Sequence, residues 1–220
     1  MTTSTTLQSI LIVGGGPSPG GERLRQLAGA YDAVVAADSG VVALKESNLT
    51  PLLVTGDFDS VTPEQLAWIP EERRVRNPDQ STTDLEKAVQ WAVKAGAKRL
   101  GLTAVTGDRL DHAVNAVSLM LRYRSRAEFT LHDTHADATL AYPPGVTIKG
   151  REGDRLSLVP APGATGVRSS GLKYLLEGID LVFGGRDGIS NEMLVPEASL
   201  IIKTGSLLVY RFLDSAADKK

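Results

Sequence analysis

The chain has 220 residues, enough for one large domain or two small ones, and its 42% hydrophobic and 23% charged content is that of a soluble globular protein. A formal charge of −2 offers no basic surface for nucleic acid or an anionic membrane, and no apolar run approaches the ~20 residues of a membrane span. With no cysteine there is no disulfide, thiolate metal site or Cys nucleophile, which fits a reducing cytoplasm.

Residues 1–9 are rich in Thr and Ser, with neither Arg nor an apolar core, and read as a loose terminus rather than a targeting signal. The polar tail 214–220 reads the same way. Residues 10–13 form a buried strand followed by Gly14-Gly15-Gly16. A G-x-G-x-x-G begun at Gly14 would need glycine where Pro19 stands, so these glycines suit a tight turn or a close phosphate approach, not a dinucleotide fingerprint. No G-x-x-x-x-G-K-[ST] occurs either. Residues 22–30 read as a helix, and 33–37 as a second strand followed by Asp38, Ser39 and Gly40.

Residues 52–54 lead into Gly56-Asp57-Phe58-Asp59-Ser60. If the backbone stays extended, the two carboxylates leave the same side. Like charges aimed at one spot call for a cation between them, and carboxylates without Cys or His suit a hard ion, Mg²⁺ by default. Gly, Asp and Ser are also common turn formers, so the pentapeptide alone is balanced between turn and metal site.

Residues 73–76 form a weaker strand ahead of Asn77 and Asp79. Asp79-Gln80-Ser81-Thr82-Thr83-Asp84 then opens a well-signalled helix. Leu85, Ala88, Val89, Ala92 and Val93 share one face, Glu86, Lys87, Gln90 and Lys94 lie elsewhere, and Gly96 suits the end. Thr83 and Glu86 have capping-box spacing, and the helix start suits a phosphate, although acids there also serve as simple caps. Residues 100–105 are a strand. The segment Thr106-Gly107-Asp108-Arg109-Leu110-Asp111-His112 opens the next helix, with Asp108 as cap and Leu110, Ala113, Val114, Val117 and Leu121 as its apolar face. Arg109 matches phosphate oxygens two at a time, or pairs on the surface with Asp108 or Asp111. His112 caps or packs. Residues 129–131 form a last strand, before His132 and His135, which lack a third ligand for zinc.

Strands alternating with helices predict an α/β fold with a mostly parallel sheet and helices on both faces. Asp38, Asp57, Asp59, Asp79 and Asp108 would then face one rim, outside the carboxyl ends of the strands. After Pro143-Pro144-Gly145 the texture changes to short β runs at 146–148, 155–159, 179–183, 199–203 and 207–212. These predict an antiparallel β-sandwich, with Gly171-Leu172-Lys173-Tyr174 and Ser190-Asn191-Glu192 as polar turns. The expected domains are residues 1–142 and 143–220.

The motif set Ala37 to Gly40, Gly56 to Ser60, Asp79 to Asp84, Gly107 to His112, Gly171 to Tyr174 and Ser190 to Glu192 resembles the thiamine diphosphokinase (thiamin pyrophosphokinase) family, in the family's order. The resemblance implies a nucleotide- and Mg²⁺-binding catalytic domain, then a thiamine-binding sandwich, in a homodimer with the site at the subunit interface. It implies Mg²⁺-dependent transfer of a diphosphate from ATP to thiamine, releasing AMP. Asp57, Asp59 and Asp84 match the family's Mg²⁺-binding and catalytic acids. Asp38, Ser39, Gly40, Thr83, Gly107, Arg109 and Asp111 match positions around the nucleotide, and Gln80, Asp84, Ser190 and Asn191 positions around thiamine. Ser81 stands where the family usually has an acid, and Asp108 where it usually has glycine. On the residues alone, two alternatives stay open: another ATP-dependent phospho- or diphosphotransferase acting on a small alcohol, and a nucleotide- or thiamine-binding protein without turnover.

Overall fold

The computed structural model describes residues 7–213, so most of the expected loose terminus and all of the polar tail lie outside the described residues. The chain divides into two compact units, Met1–Thr134 and His135–Lys220.

In the first unit six strands run parallel: β1 (Ser9–Val13), β2 (Ala33–Ala37), β3 (Leu53–Gly56), β4 (Arg74–Arg76), β5 (Arg99–Thr103) and β6 (Glu128–His132). Their order is β4-β3-β2-β1-β5-β6. Successive strands step outward from β1 to β4, and β5 then returns to the other side of β1. The helices are α1 (Gly21–Gly29), α2 (Gly40–Glu46), α3 (Pro63–Leu66), α4 (Asp84–Lys94) and α5 (Leu110–Tyr123). Side chains alternate across the strands. Leu11, Val13, Val34, Ala36 and Val54 join Leu24 and Leu27 of α1, Val41 and Leu44 of α2 and Leu66 of α3 in one apolar cluster. Ile10, Ile12 and Val35, alternating with them, are also fully buried, and α4 packs on β1, β2 and β3.

The second unit is antiparallel. It holds β7 (Ala136–Ala141), β8 (Gly145–Lys149), β9 (Arg155–Ser170), β10 (Glu177–Val182), β11 (Gly188–Glu192), β12 (Glu197–Ile201) and β13 (Thr204–Phe212). The 16-residue β9 pairs with β13, β12, β10 and β11 along its length. An apolar core built on Leu156, Leu158, Val167, Leu181, Leu200 and Leu207 fills the unit.

The parallel N-terminal strands with their helices, and the antiparallel C-terminal strands, are as the sequence predicts. Several local expectations change. β5 stops at Thr103 rather than continuing to 105, because Ala104 turns to a φ of 54°. On α4, Glu86 and Lys87 are buried with Ala88, Val89 and Ala92 rather than lying off the packed face. Only half of the expected capping box forms: Thr83 Oγ1 accepts from the Glu86 N–H at 3.2 Å. The Glu86 carboxylate instead accepts from Arg122 Nη1 at 2.6 Å and the Tyr123 hydroxyl at 2.9 Å. Helix α5 is capped by Arg109 without a side-chain bond, so Asp108 is not its cap. It buries Ala116, Leu119 and Met120, whereas Leu110 is 78% and Val114 61% exposed. Strands β7 and β11 were not expected, and Ser190-Asn191-Glu192 lies in a strand rather than a turn.

Candidate functional site

A cavity of about 410 Å³ opens in the first unit, at the carboxyl ends of β1, β2, β3 and β5 and the N-terminal ends of α4 and α5. This is where the strand order reverses, the place at which open α/β sheets take their ligands. Its floor is close-packed backbone: a Cβ on Gly14 would lie 2.6 Å from the Ala104 carbonyl oxygen. Gly40 is packed too, since a Cβ there would collide with the Val13 carbonyl. The glycines expected to serve a turn or an approaching phosphate are thus needed first to let the strand ends meet.

Three carboxylates converge at the cavity. Asp38, Asp57 and Asp84 each offer an oxygen, all within 4.8 Å of one another. Asp38 follows β2 with a φ of 45°, a conformation that Asp tolerates better than most side chains, and its Oδ1 accepts from the Phe58 N–H at 3.1 Å. It is buried, and desolvation, with the charge of Asp84 next, pushes its carboxyl up to about 6. Asp57 is pulled the other way, because the Asp59 N–H and the Gln80 amide both donate to it. The backbone between Asp57 and Asp59 is not extended as expected: Phe58 has a φ of 65°. Asp59 still lines the cavity, but its Oδ1 accepts from its neighbour Ser60 at 2.8 Å, and Asp38 takes the third place among the converging acids.

The segment before α4 divides its work. Asp79 accepts from the Ser81 N–H and hydroxyl at 2.9 Å each and from Thr82, so it ties its own loop and does not line the cavity. Gln80 Nε2 donates to Asp57 Oδ2 at 2.8 Å. Thr83 caps α4 and donates to Asn115 Oδ1 at 3.2 Å, joining the start of α4 to α5. Asp84, the first residue of α4, puts its carboxylate beside a residue that sequence reading passed over. Lys87 is 4% exposed, with its Nζ 2.9 Å from Asp84 Oδ1 and 4.0 Å from Asp57 Oδ2. The available signal was spacing, since positions three apart share a helix face.

At the start of α5, the Arg109 guanidinium forks onto Asp111, Nε to Oδ1 at 3.1 Å and Nη2 to Oδ2 at 2.5 Å. The pair is exposed, and it holds the Asp111 carboxyl down at about 2. Arg109, Ser39, Asp108, His112 and Asn115 line the cavity, whereas Gly40, Gly107 and Asp111 do not. Gly107 sits at a φ of 117° against Pro17, which accounts for glycine there.

In the second unit Ser190 is exposed, at a φ of 61° where the β11–β9 register shifts. Asn191 is buried and its amide is fully engaged with backbone. Its Oδ1 accepts from the Tyr174 and Glu192 N–H groups and its Nδ2 donates to the Tyr174 carbonyl, so it clamps the 171–174 turn expected from sequence.

Converging hard oxygen donors in a half-buried setting fit a divalent ion such as Mg²⁺, with Asp38, Asp57 and Asp84 as the residues to hold it. Among the described residues no comparable cluster includes a histidine. His132 is engaged with the Tyr31 hydroxyl at 2.8 Å.

Comparison with known proteins follows the same division of the chain. Residues 24–131 match the family model for the catalytic domain of thiamin pyrophosphokinase, and residues 145–209 that for its vitamin B1 binding domain. The thiamine pyrophosphokinase of Bacillus subtilis is 26% identical over 215 residues, covering 94% of this chain and all of the relative. Thiamin pyrophosphokinase 1 of Caenorhabditis elegans is 27% identical over 73% of this chain and 69% of its own. Among solved structures, thiamin pyrophosphokinase from Geobacillus thermodenitrificans superposes with a TM-score of 0.82 at 29% identity, over 94% of this chain and 99% of that one.

Proposed function

The chain belongs to the thiamin pyrophosphokinase family and is an enzyme of that activity, and from this premise we propose the reaction in full: Mg²⁺-dependent transfer of a diphosphate group from ATP to the hydroxyl of thiamine, giving thiamine diphosphate and AMP. The observation that carries the proposal is the convergence of Asp38, Asp57 and Asp84 at the strand-order reversal. ATP carries about four negative charges, and such a rim repels it unless a divalent ion intervenes. Bound there, Mg²⁺ supplies charge neutralisation for the phosphate chain.

The chain's own residues hold and orient. Asp38, Asp57 and Asp84 would hold the ion, with Asp59 lining the cavity beside them. Arg109 exchanges Asp111 for phosphate oxygens, and Ser39, Gly40, Thr83 and Gly107 shape the nucleotide's seat. Thiamine's primary hydroxyl attacks the β-phosphorus with AMP leaving in line, a transfer governed by positioning and charge rather than a covalent intermediate. Asp84 and Gln80 meet the hydroxyl end of thiamine. Ser190 serves its rings from the partner subunit of a homodimer, and Asn191, engaged with backbone, acts there by holding the 171–174 turn in place. A chain without cysteine suits the cytoplasm.

The test is product analysis with purified protein, ATP, Mg²⁺ and thiamine. AMP and thiamine diphosphate appearing together, and only with thiamine present, is the expected result. ADP in place of AMP would make the chain a γ-phosphoryl kinase, and no turnover would sink the proposal.

A further inference from the structure

Of the lysine and arginine side chains lining the cavity, Lys87 is the one that the proposed reaction leaves without a role. Lysine is rarely buried unless paired. Here the ammonium reaches two of the three converging acids, 2.9 Å from Asp84 and 4.0 Å from Asp57. The other full cation lining the cavity, Arg109, is 61% exposed and turned to Asp111. Glu86, the next residue on α4, is occupied by Arg122 and Tyr123, so it offers Lys87 no alternative partner.

We propose that Lys87 is a built-in counter-ion that holds the acid cluster assembled in the metal-free enzyme and keeps its affinity for a free divalent ion low, so that the ion comes and goes with the phosphate chain. The charges agree with this. Three ionised carboxylates and one ammonium leave two negative charges, which one divalent ion balances. Without the ammonium the same acids would be three like charges within 4.8 Å of one another, a strong trap for a bare ion. With it, an arriving ion meets a neighbour that repels it, and the phosphates it carries supply the remaining attraction. Lys87 is therefore a positioning residue: it acts on the ion through Asp84 and Asp57. The inference rests on these acids forming the ion site, and the experiment separates the two ideas.

Mn²⁺ binding is measured by calorimetry on wild type, Lys87→Met and Lys87→Arg, with and without a non-hydrolysable ATP analogue, alongside Tm in EDTA and in saturating Mg²⁺. The expected result is that Lys87→Met binds free Mn²⁺ about tenfold tighter than wild type, since a unit charge a few ångströms away has been removed. Its Tm should fall in EDTA and recover most of the loss in Mg²⁺, while Lys87→Arg, with its charge kept, stays close to wild type. Free Mn²⁺ binding in Lys87→Met that is unchanged or weaker, or a Tm loss equal with and without Mg²⁺, would reduce Lys87 to a structural ion pair and overturn the proposal. An enlarged Mg²⁺ effect in Lys87→Arg would overturn it as well, because the charge would not be the cause. If wild type fails to bind Mn²⁺ even with the nucleotide analogue, the ion site itself is wrong and the inference falls with it.

Discussion

The side-chain amide of Gln80 donates to Asp57 Oδ2 at 2.8 Å, so an exposed loop residue fixes the orientation of an acid across a gap of 23 residues. Replacing Gln80 by Ala removes one hydrogen bond, about 1 kcal/mol. If the bond serves to aim Asp57 at the ion, the Mg²⁺ concentration for half-maximal rate should rise roughly fivefold, beyond any rise in thiamine KM from losing the proposed contact with the acceptor. A shift in thiamine KM alone would assign Gln80 to the acceptor and remove its role as a brace.

Arg109 forks onto Asp111 with both donors, a geometry that lysine cannot reproduce. Arg109→Lys should raise the ATP KM by about tenfold or more, because the charge survives but the paired contact to phosphate does not. Equal rates for variant and wild type across a full ATP titration would leave Arg109 as a surface partner of Asp111.

Asp38 gives the metal-free enzyme a pH signature. Burial, then the charges of Asp84 and Asp57, raises its carboxyl from 3.8 to about 6. The folded state thus holds a proton that the unfolded chain has already lost, and stability falls as pH rises from about 4 through 6. The stabilisation is fully present below the unfolded value, and its loss is at most about 3 kcal/mol. Asp57, Asp79 and Asp111 shift downward and contribute the opposite slope, so the comparison must be with Asp38→Asn. Urea unfolding in EDTA should show wild type losing stability relative to Asp38→Asn across this window. Parallel curves would mean that Asp38 titrates normally.

The proposed dimeric site has its own test. Asp57→Asn removes a proposed ion ligand and should lower turnover about a thousandfold. Ser190→Trp should block the proposed thiamine pocket. Co-expressed, the two inactive chains should form hybrids in which one site combines the intact halves, restoring part of the activity. Demonstrated hybrids without recovery would place each site within one chain.

The strand-end acids were legible because the strands are short apolar runs and the polar residue closing each one stands out. What the sequence hid was direction. Asp57 and Asp59 look equivalent two positions apart, yet the positive φ of Phe58 turns them differently, and Asp38 joins from another strand. Helix α5 misled for a related reason. Leu110, Ala113, Val114, Val117 and Leu121 make a convincing stripe, but Ala116, Leu119 and Met120 form a second one, and only packing chooses between them. The apolar stripe of α4 leaves Lys87 off the packed face, and its burial depends on two acids, one of them 30 positions back in the chain. β9 was cut short because Pro160, Pro162, Gly163 and Gly166 look like breakers, although the strand carries them through a region of changing partners.

The glycine floor of the cavity bears on how such a site can change over time. At Gly14 in that floor, and at Gly40 beside it, any side chain would strike a carbonyl oxygen at a strand end, and backbone cannot step aside as a side-chain tip can. Drift at those positions is closed. The exposed residues Gln80, Ser81, Asp108 and Arg109 face no such barrier. Changes in ligand preference are therefore open to selection in the two segments that enter α4 and α5, while the ends of β1 and β2 stay fixed beneath them. A library randomised over 79–82 and 108–109 should return folded proteins of varied selectivity, and one randomised at positions 14 and 40 should return glycine.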